Sequence, residues 1–164
     1  MEVKLRQLEL EDAKFMLEWM HDKDIVKDLQ ADFLHKTIDD CNNFIKNART
    51  DENNLHLAIV NADDEYMGTV SLKNIKNCEA EFGITIRKKA MGKGYSIYAM
   101  KEIIKIGFNE KNLQRIYWCV SPKNARAVRF YDKNNFKRYS IGNQKIEGYT
   151  EKQIRDYIWY EIKG

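Results

Sequence analysis

The stretch Arg87-Lys88-Lys89-Ala90-Met91-Gly92-Lys93-Gly94-Tyr95-Ser96 decides how this chain is read, because two glycines stand directly ahead of a helical pattern. Beyond Gly94, the residues Ile97, Met100, Ile104 and Phe108, widened by Ala99 and Ile103, form one apolar stripe at helical period. Such a stripe predicts a helix lying on a sheet. Glycines at that junction let backbone amides approach an anion, and the helix start adds its positive partial charge. Two common nucleotide loops are excluded. The Walker spacing is absent and Lys93 is followed by glycine instead of a metal-binding hydroxyl, while Ile97 stands where GxGxxG needs its last glycine.

Upstream of this stretch the period changes to two. Leu55, Leu57 and Ile59 alternate, residues 61–65 read as a turn, and residues 67–75 and 78–86 read as strands joined at Lys76-Asn77. Three strands with short turns make an antiparallel meander. Downstream, Arg115-Ile116-Tyr117-Trp118-Cys119-Val120 is rich in β-formers, so strand, helix and strand imply a parallel, right-handed crossover. The outer parts complete the pattern. Residues 3–8 predict a first strand, and Ala13, Met16, Leu17 and Met20 predict a helix of about three turns. A second helix is expected from Thr37, its hydroxyl capping the amides of Asp39 and Asp40, and a further short one over residues 124–134. Residues 136–141 and 157–162 read as closing strands; Tyr157-Ile158-Trp159-Tyr160 is apolar on both faces, which fits burial within one subunit or pairing across a homodimer.

The chain's 164 residues, 43% hydrophobic and 32% charged, without a linker or repeat, predict one domain spanning residues 1–164. Seven Phe, three Trp and nine Tyr, with 28 basic against 25 acidic side chains, exclude intrinsic disorder. Apolar runs are too short for a bilayer helix, and Met1-Glu2-Val3-Lys4 lacks the pattern of a secretory signal, so no membrane partner is expected. Cys41, Cys78 and Cys119 and the scattered His21, His35 and His56 suggest neither a disulfide framework nor a metal site. A cytoplasmic protein is expected. The net charge of +3 is too small and too dispersed for a nucleic-acid surface, with Lys88, Lys89 and Lys93 the one local cluster.

A second motif, Asn124-Ala125-Arg126-Ala127-Val128-Arg129-Phe130-Tyr131-Asp132-Lys133-Asn134-Asn135-Phe136, follows the strand predicted to run parallel to the one entering the glycine loop. Asn124 and Tyr131 are seven residues apart, so on a helix they differ by only about 20° and face one groove. Two readings of them stand. Asn124 is either a helix N-cap or a ligand-contacting carboxamide, and Tyr131 either a core tyrosine or a catalytic phenol.

Together the two motifs resemble the GNAT family of acyl-CoA-dependent N-acetyltransferases, in the branch that looks like ribosomal-protein N-terminal acetyltransferases and their small-molecule relatives. The family loop Q/R-x-x-G-x-G/A maps onto Met91 to Ser96, and the signature N-x-x-A/S with its aromatic ending maps onto Asn124 to Ala127 and Phe130 to Phe136. Leu10-Glu11-Asp12-Ala13 with Trp19 looks like the branch's first helix. Three residues depart from the pattern. Met91 replaces Gln or Arg, Ser96 replaces Gly or Ala, and Asn135 replaces a helix-ending glycine, a place where asparagine best tolerates the left-handed conformation.

This resemblance implies an α/β (α+β) GNAT fold: a mixed, mostly antiparallel sheet of about seven strands, splayed at a parallel central pair and flanked by about four helices. It also implies acetyl-CoA as co-substrate without a metal. Backbone groups around Ile84 and Ile86 would bond the pantetheine, the loop Met91, Gly92, Lys93, Gly94, Tyr95 and Ser96 would hold the pyrophosphate, and Asn124 would contact the pantetheine arm. Arg87, Lys88, Lys89 and Lys93 would supply an attracting field. Tyr131 is the expected general acid toward the sulfur. Glu81 is the expected base, with Glu79 its same-face competitor. The implied acceptor is a primary amine of a small molecule or amino sugar, with a peptide N-terminus or a non-catalytic acyl-CoA sensor as alternatives. Trp19, Asp22, Asp24, Asp28, Asp32, Tyr149 and Tyr157 are the expected acidic and aromatic acceptor pocket.

Overall fold

The computed structural model describes residues 2–29 and 31–164. In chain order these form β1 (Lys4–Gln7), α1 (Ala13–Met20), α2 (Lys23–Val26), α3 (Ile38–Ala48), β2 (Leu55–Val60), β3 (Tyr66–Lys76), β4 (Glu79–Ile86), α4 (Tyr95–Asn109), β5 (Arg115–Val120), α5 (Ala125–Lys133), β6 (Lys137–Arg138), α6 (Glu151–Asp156) and β7 (Ile158–Lys163), with 3-10 turns at Leu10–Asp12 and Lys88–Ala90. The strands make one mixed sheet in the order β1-β2-β3-β4-β5-β7-β6, parallel between β4 and β5 and antiparallel elsewhere.

Local chemistry explains most boundaries. Thr37 starts α3 through a capping box: its hydroxyl accepts from the Asp40 amide, and the Asp40 carboxylate accepts from the Thr37 amide. The hairpin between β3 and β4 turns at Asn77 and Cys78, one residue later than expected. Their φ values of 53° and 61° are the left-handed pair that matches a tight turn to strand twist. Asn135 adopts φ 64° at the end of α5, as its place at a helix terminus requires.

The stripe of α4 buries Tyr95, Ala99, Met100, Ile103 and Ile104 against Leu72, Phe82, Ile116 and Trp118 of the sheet. Gly107 permits the close approach. A Cβ there would lie 3.0–3.1 Å from Ile116, Leu113 and Leu72 side chains. On the other face α1 and α3 close a second cluster around Leu8, Met16, Trp19, Ile45 and Tyr66.

Two sequence expectations are corrected. The described residues hold six helices, because the short α2 and α6 carry too few apolar positions to show a helical period. The strand expected over 136–141 shrinks to the two residues of β6. The apolar strand β7 lies between β5 and β6, paired to β5 along its length and to β6 at Tyr160 and Glu161, the arrangement expected for burial within one subunit.

Candidate active site

The site begins where the sheet comes apart. β4 and β5 pair only through Glu79 with Arg115, Ala80 with Ile116 and Glu81 with Tyr117. Beyond Glu81, β4 stays paired to β3 as far as Ile86, and β5 stays paired to β7 as far as Val120. A wedge therefore opens between two strands that should be neighbours. It continues into a cleft of about 1850 Å³ lined by Phe82, Gly83, Ile84, Thr85 and Ile86 on one side and Trp118, Cys119 and Val120 on the other.

At the wide end of the wedge lies the glycine loop. Gly92 and Gly94 have φ values of 75° and 88°, and Gly94 is the N-cap of α4. None of the amides from Gly92 to Ile97 finds an acceptor among the described residues. Unpaired amides at the N-terminus of a fifteen-residue helix are a cradle for an anion. Met91, Gly92, Gly94, Tyr95 and Ser96 line the cleft, and the Arg126 guanidinium reaches the Met91 sulfur at 2.7 Å. Lys93 is exposed and outside the lining, so its contribution to the cradle is its backbone amide.

Helix α5 forms the opposite wall. The Asn124 side-chain oxygen accepts from the Ala127 amide at 3.2 Å, so Asn124 is the N-cap, and it also lines the cleft. Tyr131, 8% exposed, is packed among Trp118, Phe130, Phe136 and Tyr160 with ring centroids 5.1–6.4 Å apart. Its hydroxyl makes no hydrogen bond among the described residues and lines the cleft. Burial pushes this phenol well above its ordinary range, followed by the neighbouring Tyr160 and Cys119, so it carries a proton at neutral pH.

Glu81 is 4% exposed and lines the same cleft, where its carboxylate accepts a hydrogen bond from the Tyr149 hydroxyl. Glu79 does not compete for this place. It sits at the closed end of the wedge, and its carboxylate faces Arg115 at 3.4 Å.

The register extends a polar row from Glu81 across the sheet: Lys73 lies opposite Glu81, Ser71 opposite Gly83, and His56 opposite Ser71. His56 Nδ1 is 2.6 Å from Ser71 Oγ, and the Phe44 ring packs against the imidazole at a tilt of 55°, centroids 4.6 Å apart. Burial lowers the His56 pKa to about 4, so the imidazole is neutral at pH 7. Cys119, also in the wall, is pushed up by burial to about 12 and is no thiolate nucleophile at that pH. The sequence reading missed His56, Ser71 and Lys73. Polar residues at alternate positions of strands that are otherwise apolar were the available signal.

Other expected site residues fall elsewhere. Arg87 does not face the cleft: its guanidinium, 7% exposed, bonds both Glu18 oxygens at 3.0 Å, Glu65 at 2.7 Å and the Tyr66 carbonyl at 3.0 Å. Lys89 is drawn to the same Glu65 at 2.8 Å. These two cations are locally neutralised. Trp19 lines the cleft but is 4% exposed, its indole donating to the Tyr66 hydroxyl at 3.0 Å. Asp22, Asp24, Asp28 and Tyr157 line the cleft with Tyr149; Asp22 accepts from the Asp24 amide as the cap of α2, and Asp32, outside the lining, lies 3.6 Å from His35. No group of three or more metal-ligating side chains and no helix long and apolar enough to cross a membrane occurs among the described residues.

Comparison with known proteins gives this geometry its relatives. The family model described as acetyltransferase (GNAT) domain matches residues 2–137. The uncharacterized N-acetyltransferase p20 of Bacillus licheniformis is 28% identical over 148 residues, 84% of this chain and 80% of that one. Spermidine N(1)-acetyltransferase of Escherichia coli K12 is 35% identical over 80 residues, 48% of this chain and 43% of that one. In fold, the chain is similar to spermidine N-acetyltransferase from Vibrio cholerae, solved with CoA and spermine, at a TM-score of 0.81 and 23% identity, covering 98% and 95% of the two chains.

Proposed function

The chain belongs to the acetyltransferase (GNAT) family, and from that premise we propose that it transfers an acetyl group from acetyl-CoA to a primary amine of a small molecule or amino sugar. The observation that carries this is the splayed β4–β5 pair, which ends in the unpaired amides of residues 92–97 and has the free Tyr131 hydroxyl in its wall. Acetyl-CoA supplies a thioester-activated acetyl group. Its pyrophosphate suits the amides of Gly92 to Ile97, and its extended pantetheine suits the strand edge around Ile84 and Ile86, with the Asn124 amide opposite.

Glu81 takes the proton of the incoming ammonium, directly or through one water, because only the neutral amine is a nucleophile. As the new C–N bond forms and the C–S bond breaks, Tyr131 gives its phenolic proton to the departing sulfur, and the proton lost from the new amide nitrogen restores the phenol through solvent. Tyr149 positions Glu81 by donating to it. Asp24 and Asp28 favour a cationic acceptor at the cleft's other end.

The spermidine N(1)-acetyltransferase of Escherichia coli that matches this chain is named for a small amine, which supports such an acceptor over the peptide N-terminus that the ribosomal-protein branch would imply. Three unpaired cysteines suit a reducing, cytoplasmic setting. The test is incubation with labelled acetyl-CoA and a panel of polyamines, amino sugars, amino acids and peptides. Equal thiol release and amine labelling is expected for small amines. Coenzyme binding without acceptor-stimulated release would instead identify a sensor module.

A further inference from the structure

Lys73 is out of place in a cleft built for a cationic amine. It projects from β3 on the polar face of the sheet, directly opposite Glu81 in the register. Its side chain does not reach outward to water; it lies across β4 at Gly83, where an added Cβ would be 3.2 Å from Lys73 Cε and 3.3 Å from Nζ. Gly83 thus leaves the room the ammonium occupies. Among the described residues Lys73 makes no hydrogen bond and no ion pair, yet it is half-buried and lines the cleft. Its charge reaches His56 and Cys119, both in the same wall.

An ammonium held here repels an approaching alkylammonium, since like charges inside a water-poor cleft are poorly screened. Glu81, the nearest carboxylate in register, makes no ion pair with Lys73, and once it has taken the amine's proton its charge no longer offsets the ammonium. The charge is balanced if the substrate brings the counter-ion. Ser71 stands beside Lys73 on the same face, and in the His56 tautomer that carries its proton on Nδ1 the imidazole donates to Ser71 Oγ and leaves the hydroxyl proton free for an anion.

We propose that Lys73, with Ser71, binds an anionic oxygen group of the acceptor, so that the substrate is an amine bearing a carboxylate or a phosphate instead of a bare polycation. This rests on the acetyltransferase reading above. Lys73 Nζ lies at Gly83, two residues and so about 7 Å along β4 from Glu81, so the anionic group and the reacting amine are separated by only a few bonds.

The test uses matched acceptor pairs: β-alanine against its amide for the carboxylate, and O-phosphoethanolamine against ethanolamine for the phosphate, with spermidine as the polycation. The wild-type protein is expected to show kcat/KM at least tenfold higher for the anionic member of one pair, and that pair names the group. K73M is expected to bring the ratio to about one through KM, and K73R, which keeps the charge, to retain most of it. A wild-type ratio of one or below in both pairs, a preference for spermidine, or a ratio unmoved by K73M overturns the proposal and leaves the acetyltransferase reading intact. Failure of every amine tested to stimulate thiol release overturns both.

Discussion

Tyr149 and Glu81, 68 residues apart in sequence, meet in the cleft with the tyrosine hydroxyl donating to the carboxylate. This one contact ties the C-terminal segment to the strand that opens the wedge. Burial raises the Tyr149 phenol, followed by the charges of Cys119 and Glu81, so it remains a donor throughout the working pH range.

Replacing Tyr149 with Phe leaves the buried Glu81 carboxylate without that donor. A hydrogen bond to a charged group is worth about 1.5–3 kcal/mol. Steady-state kinetics should show kcat lowered roughly 10- to 100-fold, with KM for acetyl-CoA within about twofold of wild type, because the cradle is untouched. Equal losses in both parameters would show that Tyr149 acts on the whole cleft.

The Arg87 side chain is held in an ion-pair network outside the cleft lining. Its bonds to Glu18, Glu65 and the Tyr66 carbonyl join α1 to β3, and its guanidinium lies 4.2 Å over the Phe15 ring. R87M should destabilise the protein by about 2 kcal/mol, short of a fully buried pair because Glu18 and Glu65 are partly exposed and can rehydrate. Thermal unfolding should shift down by about 4–8 °C. Binding of CoA to the folded variant should stay within about twofold of wild type.

His56 gives the stability a pH dependence. Its pKa is about 4 in the folded protein against 6.5 for a free imidazole, chiefly from burial. Between those values the unfolded chain binds more protons than the folded one, so stability is full above pH 6.5 and declines as pH falls toward 4. The loss is at most about 3 kcal/mol. Denaturant titrations from pH 7 to pH 4 should show this slope, and H56Q should flatten it in proportion.

Much of the fold was legible because its signals are local. The strip from Ile97 to Phe108 has one apolar face, and Leu55, Leu57 and Ile59 alternate, so α4, β2 and the parallel crossover follow from spacing. The glycine cradle was legible for the same reason: Gly92 and Gly94 sit directly before that helix. Side-chain direction was not. Arg87 is adjacent to the cradle in sequence, yet the carboxylates of Glu18 and Glu65, 69 and 22 residues away, turn it to the other side. Glu79 and Glu81 share a face, and only the point at which β4 and β5 part assigns one to the closed end and the other to the cleft. The role of Tyr149 depends on a C-terminal segment whose path no periodicity reports.

Tyr131 carries the central claim, and its geometry makes the test clean. The hydroxyl has no hydrogen bond to lose among the described residues, so Y131F should keep the ring packing and unfold within about 0.5 kcal/mol of wild type. The decisive measurement is the rate of amine-stimulated thiol release from acetyl-CoA by Y131F and wild type at saturating acetyl-CoA. A fall of about 10²- to 10⁴-fold, with coenzyme affinity and stability preserved, is the predicted result for a general acid. An unchanged rate in the folded variant would contradict it and remove Tyr131 from the chemistry.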